Sequence, residues 1–275
     1  MGIFSLTADE IEQYHRDGYI VVRSLFDAEE TDILRRTAKA DRALQENAFG
    51  LDDGEGGLQR LALWNIEGDD MYSLVARSRR VVDNMEWLLG GEVYHYHSKM
   101  SIKEPFTGGA WAWHQDYGYW YQNGVLRPLL SSCFIAVDPN TRENGCMQVL
   151  KGSHEMGRVE HGRFGDQTGA DPERVEEAKK ILELVYVELE PGDALFFHCN
   201  LLHRSDQNRS PHPRWSLICC YNAARNNPYK ESHHPRYHYL EKVDDGALKR
   251  AAAGAFLDEA RFMQREQDHT LGQDN

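Results

Sequence analysis

From residue 91 onward the chain is a succession of short, apolar, strand-like runs, and this pattern narrows the fold more than any other feature. The runs lie at 92–102, 129–137, 146–150, 184–189, 194–198 and 215–221. Turn signals separate them, among them Asp138-Pro139-Asn140, Glu143-Asn144-Gly145 and Glu190-Pro191-Gly192-Asp193. Many short strands without long helices between them imply a mainly β fold with flanking helices, built as an antiparallel barrel or jelly roll.

The first 90 residues read differently. Thr7 and Glu10 have capping-box spacing, so a short helix is expected to run into Gly18, with a strand at 19–22 behind it. A second box, Asp27 to Glu30, opens a helix expected to reach about Leu44. Residues 47–57 hold four glycines and read as a loop, and residues 78–89 read as a helix stopped by Gly90 and Gly91. The alanine-rich segment 244–265 has a helical period and is expected to close the chain as a surface helix. With no repeat and no low-complexity linker, one domain over 1–275 is expected. It would comprise a helical part to about 90, a β core over about 91–225 and a helical segment over about 240–265.

Composition excludes several functions. Acidic residues outnumber basic ones 44 to 31, for a net charge of −13, and a surface of that sign repels nucleic acid and anionic lipid. No apolar run approaches the roughly 20 residues of a membrane span. Acids occur within the first ten residues with no long apolar stretch, and Leu6 stands where a myristoylation motif wants Ser or Thr. The five cysteines, an odd number without CxxC spacing, fit neither a disulfide framework nor a zinc knuckle. Buried thiols in a reducing cytoplasm are the expectation, with a small molecule as partner; nothing in the sequence sets the oligomeric state.

The chemistry concentrates in the segment 111–121, which contains six aromatic residues and the pair His114 and Asp116. On a strand, residues two apart point to the same face, so an imidazole and a carboxylate can converge on one ion. His203 supplies a third ligand. Two neutral nitrogens and one carboxylate on one face of an octahedral metal leave three positions open, as in non-haem iron(II) oxygenases. An α-keto acid can chelate through two of these and dioxygen can take the third. Arg214, eleven residues beyond His203 on the next expected strand, can grip the distal carboxylate of 2-oxoglutarate in bidentate fashion.

These residues carry a resemblance. The blocks 6–26, 113–116, 144–154, 191–198 and 201–208, followed by the strand of Arg214, are similar in order and spacing to the phytanoyl-CoA dioxygenase superfamily, including its ectoine-hydroxylase-like members. The resemblance implies a double-stranded β-helix, cupin-like core, with iron(II) on His114, Asp116 and His203, and with 2-oxoglutarate and dioxygen as co-substrates. It places Arg214, Ser205, Met100 and Phe134 around 2-oxoglutarate. Trp120, six residues beyond the first ligand, stands where ectoine-hydroxylase-like relatives set a tryptophan against a cationic substrate. No lysine occurs near 63–64, where some members contribute one. The implied reaction is hydroxylation of an unactivated C–H bond in a small polar, cationic or zwitterionic metabolite, with release of succinate and carbon dioxide.

Other histidines compete for these roles. His198 reads as a core histidine, because only His203 keeps the eleven-residue gap to Arg214. His95 and His97 have ligand spacing but no acidic partner, and read as a strand lining the cavity. His233 and His234 read as a tail-loop pair that is either structural or packed behind the metal ligands, and Arg204 and Arg209 as solvent-facing. The pair His15 and Asp17 repeats the HxD spacing at a helix end and reads as a solvated feature. A non-catalytic metal-binding sensor on the same barrel is the alternative function. A zinc hydrolase is disfavoured, because HExxH is missing.

Overall fold

The computed structural model describes residues 4–251 and 255–264. The strands are β1 (Tyr19–Val22), β2 (Phe49–Asp52), β3 (Leu58–Trp64), β4 (Val93–Lys103), β5 (Trp111–His114), β6 (Leu130–Ala136), β7 (Met147–Leu150), β8 (His161–Phe164), β9 (Gln167–Ala170), β10 (Leu184–Val187), β11 (Ala194–His198), β12 (His203–Ser205) and β13 (Arg214–Ala223). The α-helices are α1 (Ala8–Asp17), α2 (Ala28–Ala40), α3 (Arg42–Glu46), α4 (Met71–Arg77), α5 (Arg79–Leu89), α6 (Asp116–Trp120), α7 (Pro172–Ile181) and α8 (Ala247–Arg250).

The larger sheet has the order β1-β11-β6-β13-β4-β3-β2 and the smaller β10-β7-β12-β5, while β8 and β9 form a hairpin. Every ladder between these strands is antiparallel. This is the cupin jelly roll that the succession of short runs implies. Alternation divides the larger sheet between two cores. Cys133 and Ile135 of β6 pack under the helices, whereas Phe134 and Ala136 belong to the interior between the sheets. On β13, Leu217 and Cys219 go to the helical side while Ile218 and Cys220 go inward. Burial on both faces explains why these runs are continuously apolar.

The capping signals hold. Thr7 and Asp27 both form complete capping boxes, and α1 ends at Gly18 with φ 83°, a left-handed conformation that favours glycine. Any Cβ on Gly18 would also collide with the imidazole of His154. All five cysteines are buried and free.

Four expectations need correction. The helix expected to reach Leu44 breaks at Asp41, whose carboxylate accepts from Leu44 N (3.0 Å) and from the Tyr72 hydroxyl (2.8 Å), so tertiary contacts restart the chain as α3. The expected loop 47–57 contains β2, paired residue for residue with β3. The first 90 residues are therefore not simply helical, since β1, β2 and β3 all join the larger sheet. The expected helix over 244–265 is limited to α8 and a 3-10 turn at Glu259–Arg261, residues 252–254 and 265 lying outside the described ones. Between them the chain is tied to the core: Leu257, Phe262 and Met263 are buried, and Met263 N donates to Leu63 O at 2.8 Å. Helices α4, α6 and α7 and the β8–β9 hairpin were not expected, although α7 carries an Asp171 N-cap, Pro172 at its first position and lysines in its last turn. Among the described residues no helix is long and apolar enough to cross a membrane.

Phe196, fully buried between β1 and β6 on the helical side, tests this packing. Phe196→Ala is expected to cost about 3–5 kcal/mol of stability, read from the urea midpoint of unfolding.

Candidate active site

The smaller sheet sets two imidazoles side by side. His203 of β12 is the register partner of His114 on β5, and their ring centroids lie 4.0 Å apart. Strand β5 ends at His114, but Gln115 keeps an extended backbone (φ −113°, ψ 133°), so the alternation carries one residue further and returns Asp116 to the side of His114. The Gln115 side chain is tied down elsewhere, donating to Gly157 O and Asn200 O and accepting from Val159 N. Asp116 then opens α6 rather than continuing a strand.

The three groups converge. Asp116 Oδ1 lies 3.8 Å from His114 Nε2 and 3.9 Å from His203 Nε2, and the ligand atoms of all three fall within 4.8 Å of one another. Those separations are too long for hydrogen bonds and suit three donors around a shared ion. Each imidazole presents Nε2 because Nδ1 faces a backbone carbonyl, Ala112 O at 2.8 Å for His114 and Leu201 O at 2.9 Å for His203. Burial holds His114 well below the usual histidine range, reinforced by His203 alongside. Burial likewise lowers His203, against the pull of Asp116. For Asp116 burial opposes ionisation, but Lys99, His203 and His114 outweigh it and hold the carboxyl below its ordinary value. The site is thus two neutral nitrogens and one carboxylate, the protonation state that ligation requires.

Across the interior, Arg214 opens β13. It is 2 % exposed, donates from Nη1 to Gly145 O (2.7 Å) and from Nη2 to Ser101 Oγ (3.3 Å), and leaves Nε without a partner. Among the described residues no carboxylate pairs with it. Burial pushes this guanidinium down to about 10. Ser205 Oγ, also buried and without a hydrogen bond, lines the same cavity, as do Phe134, under the guanidinium at 5.8 Å, and Trp120. Two orphaned polar groups and a cation without a counter-ion fit a bound diacid.

Met100 is not in this cavity. It stands on the opposite face of β4, in the helical core with Ala62, Ile102 and Leu217. Its strand neighbours Lys99 and Ser101 face the cavity instead. Lys99 has no hydrogen bond or ion pair among the described residues. The signal was present in the sequence: His97, Lys99, Ser101 and Lys103 form a polar stripe of period two, with Met100 and Ile102 alternating between them. A bulge adds to it, since the β4–β13 register jumps from His97 to His95 and passes over Tyr96. Tyr96 and His97 consequently both meet Trp120, at 5.4 and 5.3 Å, and His234, at 4.4 and 4.8 Å. Arg204, expected in solvent, lies on β12 in the cavity wall and pairs with Asp206 at 2.6 Å. Asp17 is likewise buried, in ion pairs with Arg16 and Lys151, and far from a solvated surface feature. His198 stays apart, bonded to Asn200 N and packed near Tyr14 and His154.

A jelly roll that gathers two imidazoles of its smaller sheet and the carboxylate that follows β5 has the architecture of a non-haem metal oxygenase. The chain belongs to the phytanoyl-CoA dioxygenase (PhyH) family, which residues 14–216 match, and it is an enzyme of that dioxygenase class. It is 27 % identical over 238 residues to an ectoine dioxygenase of Stutzerimonas stutzeri (strain A1501), covering 80 % of this chain and 78 % of that one. It is 27 % identical over 244 residues to an L-proline trans-4-hydroxylase of Streptomyces griseoviridis, covering 83 % and 91 % respectively. The crystal structure of EctD from S. alaskensis with 2-oxoglutarate and 5-hydroxyectoine is similar at a TM-score of 0.72 and 26 % identity, covering 89 % of this chain and 90 % of that one.

Because both imidazoles are held neutral, protons compete poorly for this site. A pair of solvent-exposed histidines would lose roughly 100-fold in divalent-metal affinity between pH 8 and pH 5.5. Here Mn(II) affinity, followed by EPR, is expected to fall by less than that over the same range. A steep fall would contradict the protonation states given above.

Proposed function

We propose that the protein is an iron(II)- and 2-oxoglutarate-dependent hydroxylase of a small polar metabolite. His114, Asp116 and His203 would hold the iron, and Arg214, with Ser205 and Phe134 beside it, would hold 2-oxoglutarate. One observation carries this reading: a fully buried guanidinium, paired with no carboxylate among the described residues, faces the same cavity as His114 and His203, which converge with Asp116. The fold and family of the chain support it, as do relatives named as ectoine dioxygenase and L-proline hydroxylase. Iron(II) bound there supplies dioxygen activation, in which 2-oxoglutarate is oxidised to succinate and carbon dioxide while one C–H bond of the substrate becomes C–OH.

The chain's own residues do the rest. Arg214 offers its forked N–H groups to the distal carboxylate, a geometry lysine cannot match. Phe134, Phe197 and Ile218 wall the cavity with apolar surface and limit water beside the metal. The cavity lining contains Lys99, Arg204 and Arg214 and, among the described residues, no acidic one. A positively charged part of a substrate would therefore find the Trp120 indole rather than a carboxylate, and a negatively charged part would find Lys99. Those two partners favour a zwitterion, a description that L-proline fits.

Anaerobic addition of iron(II) and then 2-oxoglutarate is expected to produce a weak visible charge-transfer band that His203→Ala abolishes. A metal-binding sensor or a hydrolase would give no such band. Arg214→Met is expected to weaken 2-oxoglutarate by about 10–100-fold in the same titration while iron still binds. Trp120→Ala is expected to raise the KM of a substrate found by succinate release across a metabolite panel, leaving the 2-oxoglutarate affinity unchanged. An unchanged KM would remove Trp120 from the substrate site.

A further inference from the structure

Asp116 is held at both oxygens by hydroxyl groups that none of the ligand motifs identifies. Oδ1, the oxygen turned toward the two imidazoles, accepts from the Tyr119 phenol at 2.5 Å. Oδ2 accepts from Ser132 Oγ at 3.3 Å. Tyr119 sits one helical turn beyond Asp116 on α6, which brings residues three apart together. Its ring lies nearly parallel to His114, 6.1 Å between centroids at 24°, so the side chain touches two of the three proposed ligands. Ser132 belongs to β6 of the facing sheet and is itself fixed 3.3 Å from Cys220 Sγ, its register partner on β13. One hydroxyl therefore comes from the ligand's own helix and the other from across the barrel.

A carboxylate can bind a metal through one oxygen or through both. Combined with two imidazoles, one-oxygen binding leaves three of six positions open, and two-oxygen binding leaves two. A chelating keto acid and dioxygen together need three. We infer that Tyr119 and Ser132 form a clamp that keeps Asp116 a one-oxygen ligand, with Tyr119 aiming Oδ1 at the metal and Ser132 holding Oδ2 away from it. Both are positioning residues, acting through Asp116. This inference rests on the iron and 2-oxoglutarate reading above and adds the element that preserves the third open position.

Tyr119→Phe and Ser132→Ala each delete one hydroxyl and keep most of the packing. Iron(II) affinity would be measured anaerobically by competition with a chelator, and the 2-oxoglutarate charge-transfer band recorded at saturating iron. Tyr119→Phe is expected to weaken iron by about 10–100-fold, the usual effect of losing a group that orients a ligand. Its band is expected to fall below half the wild-type intensity, because a freed carboxylate can swing onto the metal through both oxygens and compete with the keto acid. Ser132→Ala should shift both readouts in the same direction, and it decides alone if Tyr119→Phe does not fold. Wild-type iron affinity and an unaltered band in the variants would overturn the clamp, and so would weakened iron with an unaltered band. A wild-type protein that gives no band, or one insensitive to His203→Ala, would instead count against the proposed function itself.

Discussion

The pairing of His114 with His203 across β5 and β12 is the constraint on which the site depends. Register in an antiparallel sheet is set by whole-strand burial, and a slip of one residue by either strand would turn its imidazole to the face opposite the other. Here β12 is only three residues long and pairs with β7 on one side and β5 on the other, so its position is fixed from both edges. The extended backbone at Gln115 and the start of α6 then bring Asp116 to the same point. The local chain path supplies one ligand and the sheet register supplies the other two.

The electrostatics of the interior run against those of the whole chain. Acids exceed bases 44 to 31 overall, yet three cations and, among the described residues, no carboxylate line the cavity. Burying charge without a partner is costly, and such charges are kept in folded proteins mainly where a ligand completes them. Arg214 and Lys99 sit on adjacent strands of the larger sheet and face the ligands carried by the smaller one. The two imidazoles thus come from the smaller sheet and Asp116 from the start of α6, while Lys99 and Arg214 come from the larger sheet.

Much of this was legible in the sequence, for identifiable reasons. The capping boxes at Thr7 and Asp27, the turns after residue 91 and the spacing from His114 through His203 to Arg214 are local or periodic features, and the structure keeps them. What escaped was set by tertiary contact. The break at Asp41 depends on Tyr72, the strand β2 on pairing with β3, and the path of 255–264 on burial against β3. Met100 was misplaced because its resemblance outweighed the period-two polar stripe on either side of it. The Tyr96 bulge arises from packing that no spacing rule encodes, and the i,i+3 contact of Tyr119 with Asp116 escaped because α6 was not expected.

Anomalous diffraction at the iron edge, from crystals grown anaerobically with iron(II) and 2-oxoglutarate, tests the central claim most directly. One peak is expected at bonding distance from His114 Nε2, Asp116 Oδ1 and His203 Nε2 together, with 2-oxoglutarate reaching from it to Arg214. A peak displaced to the His97 and His234 end of the cavity, or one lacking any of the three ligands, would contradict the account.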